Sequence, residues 1–284
     1  MNLQKIDGWE HGSCDIKRDE EKRWQSPGSF FFSQGRALVL AANYFIDDRL
    51  ILKCRGGVAI KHRHRIHLAL FGQLMASFEY FLKDFIASVV DIIPIFDEQI
   101  QKAKWIEVDV RSILAIRDTV QPSTGSFLLH STLGWFDPDK VNQRYNDLFK
   151  YSPLSDFEKP ELNRLWILRH SVAHNAGFVT TKDAGRMGLS HLSNSVVDID
   201  AAFMADAFDF LGIIVSKITK NVGDKVLLQW LQSQIERGPD YKRDKHTYRW
   251  LKLLATYVKS RARNLPRITK SSYTRDFERA EKEL

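Results

Sequence analysis

Apolar side chains recur at helical spacing along much of the chain, most clearly between residues 66 and 90. Five of them follow one another at steps of three and four residues: Phe71, Leu74, Phe78, Phe81 and Phe85. This spacing places side chains on one face of an α-helix. No proline interrupts the run before Pro94. The pattern predicts one long amphipathic helix from about Ile66 to Val90.

Capping residues and the same periodicity predict further helices. Asp137 followed by Pro138 is typical of a helix N-terminus, and this helix should run to about Lys150. The next helix begins near Ser155 or near Pro160, which the sequence does not distinguish, and ends at Gly177. The remaining helices are expected from about Ile106, from Asp198 or Asp200 to about Gly223, over about 224–236 and over about 245–259.

Two segments have patterns more typical of strands and turns. Residues 36–45 and 49–54 flank Asp47-Asp48, which predicts a β-hairpin that ends at Gly56-Gly57. Residues 178–197 contain two glycines and several serines, which indicates a loop or a short hairpin. The expected fold class is therefore mainly α. We divide it into an N-terminal extension with a small β element (1–61), a helical bundle (62–222) and a helical, basic C-terminal extension (223–284).

Composition narrows the class of protein. The chain is 44% hydrophobic, with 12% aromatic residues, which is enough for a substantial core. Two cysteines, Cys14 and Cys54, form neither a disulfide framework nor a zinc site by themselves. The sequence has no run of 18 apolar residues, and the residues from Met1 to Asp7 turn polar at once, so we expect no secretory signal. We therefore expect a cytoplasmic protein without a membrane span.

The positive charge is concentrated at the C-terminus. Residues 239–284 hold 13 Lys and Arg against 6 Asp and Glu, which accounts for the net charge of +7. Aromatic residues alternate with these cations, a combination suited to phosphate contact and base stacking. The alternative is a solvated basic helix. The candidate RNA-binding residues are Lys242, Arg243, Arg249 and Trp250 in this tail, together with Arg63 and Arg65 at the start of the long helix.

The histidines beside Arg63 and Arg65 suggest a second use for that segment. His64 and His67 are three residues apart, a spacing compatible with a metal site. The flanking charges are cationic and would repel a metal ion, so contact with RNA phosphates is the favoured interpretation.

The helix that ends at Gly177 carries an arginine among apolar residues. On a helical wheel, Arg169 lies between Leu165 and Ala173, within a broad apolar face. An arginine stays charged at any accessible pH, so burying it unpaired is costly. Arg169 should therefore have an anionic partner, a ligand or a partly wet subunit interface.

Two histidines follow on the same helix. His170 is adjacent to Arg169, and His174 lies five residues beyond it, about 140° around the helix. Histidine can accept a proton from a ribose 2′-hydroxyl or donate one to the leaving 5′-oxygen, while arginine can bind the phosphate. A purely structural interpretation is also open, with the histidine favoured by the helix dipole and the arginine paired to a buried carboxylate.

The segment from Leu168 to Gly177 resembles the signature of the HEPN superfamily (higher eukaryotes and prokaryotes nucleotide-binding). In that signature an arginine, usually followed by a polar residue, precedes a histidine at the end of a core helix. The matching positions are Arg169, His170 and His174, and Asn175 and Gly177 are also frequent in relatives. The order of long helices within 62–222 is similar as well. The resemblance implies an up-and-down helical bundle of HEPN type.

The resemblance also implies an activity. Similar proteins cleave RNA without a metal or other cofactor, through attack by the 2′-hydroxyl, and leave a cyclic phosphate. They pair through their motif helices, so a homodimer would line one cleft with two copies of Arg169 and His174. Many are toxins or anti-phage effectors, which implies an inhibitory antitoxin or an activating defence partner. Glu79 is a candidate supporting residue that pairs with Arg169 or orients a histidine, unless it forms a surface pair with Lys83.

Two other functions fit the same residues. A non-catalytic HEPN-like module that binds a nucleotide or a partner protein would use the same phosphate-binding groups. A DNA-binding protein built on the basic tail would depend on residues 239–284 and not on His174.

Overall fold

The computed structural model describes most of the chain and shows a mainly helical fold. The described residues are 26–44, 63–93, 96–106, 123–130, 134–238, 245–255 and 270–283. We number the helices within them as α1 (Pro27–Tyr44), α2 (Arg63–Ile92), α3 (Asp97–Lys102), α4 (Thr124–His130), α5 (Pro138–Phe149), α6 (Glu158–Asn175), α7 (Thr181–Met187), α8 (Ala201–Glu236), α9 (Lys245–Ala255) and α10 (Lys270–Glu283). Two short strands, β1 (Phe178–Val179) and β2 (Ser195–Val196), pair antiparallel around α7 and a 3-10 turn at Ser190–Leu192.

Helix α2 is the centre of the fold and confirms the long helix predicted from periodicity. Its apolar stripe, including Phe71, Phe78 and Phe85, is fully buried. It packs against α1, α4, α6 and α8. Because all these neighbours bury their apolar faces on one helix, most described helices share one hydrophobic core.

Helix α5 confirms the prediction made from Asp137 and Pro138. The Asp137 carboxylate accepts hydrogen bonds from the backbone N–H groups of Asp139 (3.0 Å) and Lys140 (3.3 Å). Lys150 ends the helix in the left-handed conformation, with φ 52°. Residues 178–197, predicted to form a loop or a short hairpin, contain the β1–β2 pair. Helix α7, which lies between the two strands, was not predicted.

The predicted N-terminal β-hairpin is wrong over residues 36–44, which form the second half of α1. Ser26 caps this helix by accepting a hydrogen bond from Ser29 N at 3.2 Å, and Pro27 occupies the first helical position. Phe31 and Ala42 then bury one face of α1 against the core. The hairpin assignment started at Arg36, inside the helix, and so missed both the cap and Phe31. The rest of that hairpin, and the helix predicted to begin near Ile106, lie mainly outside the described residues.

Helix α8 starts as predicted and ends later than predicted. The Asp200 carboxylate accepts from Phe203 N at 2.8 Å and caps the N-terminus. The helix then passes through Gly223 without a break and continues to Glu236, so the predicted end near Gly223 is wrong. The expected boundary between 62–222 and 223–284 therefore falls inside a continuous helix.

Gly223 allows α9 to approach α8 closely. A Cβ atom built on Gly223 would lie 2.5 Å from the backbone oxygen of Leu254. The residue thus serves close helix packing, and it neither caps nor ends the helix.

We expect Gly223→Ala to destabilise the protein by about 1–3 kcal/mol, the usual cost of overpacking a filled contact. Alanine is the better helix former, so helix propensity alone predicts the opposite sign. Gly72→Ala on α2 is the matched control, because a Cβ there meets no atom within 4 Å. Gly72→Ala should stabilise the fold by up to about 1 kcal/mol. Urea unfolding of both variants measures the difference, and a stabilised Gly223→Ala would contradict the packing argument.

Within the described residues of the C-terminal tail, Tyr248, Tyr273 and Phe277 belong to the core. Tyr248 on α9 and Tyr273 on α10 are buried, with ring centroids 4.7 Å apart. Tyr273 also contacts Phe277, with ring centroids 5.0 Å apart, and Trp230 of α8 completes the cluster. Because Tyr248 and Tyr273 are buried, they cannot stack on nucleic-acid bases, and that part of the tail hypothesis is wrong. Helix α10 lies within the C-terminal extension that was predicted to be helical, although no bounds were predicted for it.

Among the helices of the described part of the chain, none combines the length and the apolar character needed to cross a membrane.

Candidate functional site

The site is built on α6, at whose N-terminus Glu158 makes one half of a capping box with Ser155. Glu158 Oε2 accepts hydrogen bonds from the backbone N–H and the hydroxyl of Ser155, both at 2.7 Å. Lys217 of α8 donates to Glu158 Oε1 at 2.7 Å. Of the two predicted starts, the one near Ser155 is supported, and Pro160 lies inside the first turn. The ion pair between Lys217 and Glu158 joins the start of α6 to α8.

The C-terminus of α6 places the histidines where the chain leaves the helix. Ala176 and Gly177 both adopt positive φ, 52° and 88°. Gly177 N donates to Ser171 O at 3.0 Å, which satisfies a carbonyl of the last turn, as expected for the predicted C-cap. His174 lies in this last turn, where the negative end of the helix dipole favours a cation.

The buried face of α6 differs from the face expected on the helical wheel. Its buried residues are Leu162, Trp166, Ile167, Leu168 and Ser171. Ala173 is exposed and Leu165 is half-buried. Arg169, with a side chain that is 29% exposed, therefore lies at the edge of the buried face and not within it.

Arg169, His170 and His174 line one cavity of about 350 Å³. The other lining residues are Phe136, Asn163, Trp166, Ile167 and Arg186. Arg169 and His174 of one chain therefore border the same cavity, although they lie about 140° apart around the helix. The residues that line this cavity include no carboxylate.

The two histidines form a close pair. The ring centroids of His170 and His174 are 4.7 Å apart, and the ring planes meet at 46°. Both side chains are exposed to solvent. Asn175 is half-buried and lies outside the set of residues that lines the cavity. The arrangement offers two imidazoles, both accessible to a ligand, beside a guanidinium.

Glu79 of α2 lies behind the cavity and pairs with Arg169. The distance from Arg169 Nε to Glu79 Oε1 is 3.9 Å, and the glutamate side chain is 17% exposed. Of the two partners considered for Glu79, Arg169 forms the ion pair, and Lys83 contributes a weaker electrostatic attraction. Glu79 Oε1 and Trp166 Nε1 are buried without a hydrogen bond of normal geometry among the described residues.

Burial raises the pKa of the Glu79 carboxyl above its ordinary value of 4.5, and it outweighs the opposing effects of Arg169, Lys83 and the Trp166 indole. The charged form of Glu79 is therefore costly to keep in the fold. The Glu79 carboxylate attracts the Arg169 guanidinium across 3.9 Å, and Arg169 also borders the cavity.

We expect Glu79→Gln to stabilise the fold at pH 7 and to leave it nearly unchanged at pH 4. The stability that neutral Glu79 contributes is fully present below pH 4.5, its unfolded pKa, and is lost as the pH rises through the raised folded pKa. Glutamine mimics the neutral form at every pH, so the gain over the wild type should grow with pH. Urea unfolding midpoints of the wild type and Glu79→Gln at several pH values measure this gain in stability.

Glu158→Gln is a control of opposite sign. Burial alone would raise the pKa of Glu158, but the hydrogen bonds from Lys217 and Ser155 outweigh it and lower the pKa. This carboxylate stabilises the fold above pH 4.5, and that contribution is lost as the pH falls through the lowered folded pKa. The Glu158→Gln variant should therefore be less stable than the wild type at pH 7. If Glu79→Gln and Glu158→Gln changed the urea midpoint in the same direction at pH 7, the opposite pKa shifts assigned to the two carboxyls would be contradicted.

The candidate RNA-binding residues that the structure describes are not among those that line the cavity. Arg63 and Arg65 are exposed at the start of α2. Arg249 is exposed and Trp250 is half-buried on α9. Lys242 and Arg243 lie outside the described residues.

The metal alternative finds no support in the described residues, where no group of three or more His, Cys, Asp or Glu is placed to hold a metal ion. His67 is 2% exposed. Its Nδ1 lies 2.7 Å from Ile199 O and its Nε2 lies 3.2 Å from Ala42 O. The ring thus connects α1 and the start of α8 to α2.

Five lining residues were not predicted as site residues, and two of them, Trp166 and Ile167, belong to the buried face of α6. Asn163 lies seven residues before His170 and eleven before His174, which places it on the same side of α6, so helical spacing could have identified it. Phe136 and Arg186 come from separate segments, and only tertiary folding brings them to the cavity.

Comparison of the chain with protein-family models, with curated proteins and with solved structures found no match. The resemblance to HEPN proteins therefore rests on residues 168–177 and on the order of the helices.

Proposed function

We propose that this protein is a metal-independent endoribonuclease whose active site is the cavity lined by Arg169, His170 and His174. The observation that carries the proposal is the meeting of these three side chains in one cavity, with the two imidazole rings 4.7 Å apart. A phosphate-binding cation beside two imidazoles that can accept and donate protons is a set suited to RNA cleavage.

The reaction needs no external nucleophile. One imidazole takes the proton from the ribose 2′-hydroxyl, and the 2′-oxygen attacks the adjacent phosphorus. The bond from phosphorus to the 5′-oxygen breaks, and the second imidazole donates a proton to that oxygen. The products are a 2′,3′-cyclic phosphate and a 5′-hydroxyl. Arg169 binds the phosphate oxygens as their charge grows, and Glu79 holds the guanidinium in place.

The finer features of the fold belong to the same proposal. Contacts of α2 with α6 and α8 support an up-and-down bundle of HEPN type. Exposed Ala173 and half-buried Leu165 lie on either side of Arg169 along α6 and leave this edge available to a second copy. A homodimer would then place two cavities near its axis. A cytoplasmic toxin or defence effector, controlled by a partner protein, is the role we assign to such an enzyme.

Incubation of the purified protein with total RNA in EDTA tests the proposal. We expect the wild type to cut the RNA and the His174→Ala variant, purified in parallel, to leave it intact. Equal cleavage by both would indicate a contaminating nuclease and contradict the assigned site. Binding of RNA by both without cleavage would favour the alternative, a nucleotide- or protein-binding assembly module.

A further inference from the structure

Phe136 is an exposed aromatic side chain at the rim of the cavity. Its side chain is 60% exposed, although the neighbouring Trp135 is 2% exposed. The ring borders the same cavity as His170 and His174. An aromatic face open to solvent beside cationic groups is what a stacked nucleobase requires.

The backbone that carries Phe136 is fixed on both sides. Arg144 is buried, stacks over the Trp135 ring at 4.6 Å and donates to Gly134 O at 2.7 Å. Asp137 caps α5 directly after Phe136. Trp135 points inward and Asp137 is held at the helix end, so the backbone of Phe136 is already ordered. Little backbone entropy is therefore lost when a ligand contacts the Phe136 ring.

A cation and an amide also line the cavity. Arg186 lies on α7, where Asp183 Oδ1 is 3.6 Å from its Nη1. Ala184 and Met187 of α7 pack with Ile167 of α6 in a small cluster, which fixes α7 against the motif helix. Asn163 lines the cavity from α6 itself. Its amide has both donors and an acceptor to offer a base edge.

We propose that this cavity binds one nucleotide of single-stranded RNA next to the cleaved bond. The base stacks on Phe136 and contacts Asn163, and Arg186 binds a phosphate other than the one that Arg169 holds. The volume of about 350 Å³ is at the lower end of the range for small-ligand sites, about 300–1,000 Å³. A paired base cannot present its face to Phe136, so the site selects unpaired RNA. This inference rests on the proposed function for the position of the nucleotide.

The test is binding of a fluorescent single-stranded RNA octamer whose 2′-oxygens are all methylated, followed by anisotropy. The methyl groups remove the nucleophile, so the probe reports binding without cleavage. We expect Phe136→Ala to weaken binding by about tenfold or more, and Phe136→Trp to retain it, since stacking supplies the affinity. Arg186→Gln should weaken binding and reduce its dependence on salt.

Phe157→Ala is the matched control, because Phe157 is 91% exposed and lies at the opposite end of α6. Binding should be unchanged in this variant, and the same octamer in a duplex should bind more weakly. Equal affinity of Phe136→Ala and wild type would overturn the proposal, as would failure of the wild type to bind the single strand.

The two proposals fail in different ways. If Phe136→Ala binds the methylated probe more weakly than the wild type, but the wild type does not cleave natural RNA, the nucleotide site is supported and the ribonuclease proposal is contradicted. If the wild type cleaves natural RNA and Phe136→Ala binds the probe as tightly as the wild type, the ribonuclease proposal is supported and the nucleotide site is contradicted.

Discussion

The His174→Ala variant should cleave RNA about 10² to 10⁴ times more slowly than the wild type, the range that general acid–base groups contribute. His174 lines the cavity, is exposed to a ligand and lies within 4.7 Å of His170, measured between ring centroids. Its removal deletes one of the two groups that exchange protons in the reaction. The fold should survive, because an exposed histidine at a helix end contributes only about 0.3–1 kcal/mol.

Single-turnover cleavage of one defined RNA in EDTA measures the effect, with circular dichroism to confirm folding. His191→Ala is the matched control, since His191 is exposed on the 3-10 turn and outside the cavity lining. It should retain the wild-type rate. His170→Ala should also lower the rate if the two imidazoles share the proton transfers. A loss that is equal in the His191 and His174 variants would contradict the assignment.

Arg169→Ala should lower the cleavage rate about 10² to 10³ times, the usual loss when a group that stabilises transition-state charge is removed. Arg169 borders the cavity and pairs with Glu79, so its removal also leaves a half-buried carboxylate without its ion-pair partner. The cleavage rate of Arg169→Lys should lie between those of the wild type and Arg169→Ala. Lysine keeps the positive charge but cannot make the planar, bidentate contact of arginine with phosphate.

The control for charge is Arg279→Ala on α10, whose side chain is 74% exposed and pairs with Glu283. It lowers the net charge equally and should leave cleavage unchanged at moderate salt. If Arg279→Ala and Arg169→Ala lower the rate alike, general electrostatic attraction of RNA would explain the loss, and Arg169 would have no special place in the site.

Features that depend on local spacing could be predicted from the sequence. The long run of apolar residues over 66–90 led to α2, and Asp137 with Pro138 led to α5, because periodicity and capping are properties of adjacent residues. Arg169, His170 and His174 were found for the same reason, since they lie within two turns of one helix.

Features that depend on tertiary contacts could not be predicted. A glycine such as Gly223 is compatible with a helix end or with close packing, and only the approach of Leu254 distinguishes the two. The short apolar run after Arg36 fits a strand or a helix, and the packing of Phe31 on the core decides for α1. Phe136 and Arg186 reach the cavity from segments that no spacing rule links to α6.

The chemistry of the cut ends tests the central claim most directly. In EDTA, the wild type should leave a 2′,3′-cyclic phosphate and a 5′-hydroxyl, and a single 2′-deoxy substitution at the cut position should block cleavage there. Both results follow if the 2′-hydroxyl is the nucleophile and the side chains of the cavity only move protons and bind phosphate. Cleavage of the deoxy-substituted bond, or products with a 5′-phosphate and a 3′-hydroxyl, would contradict the account.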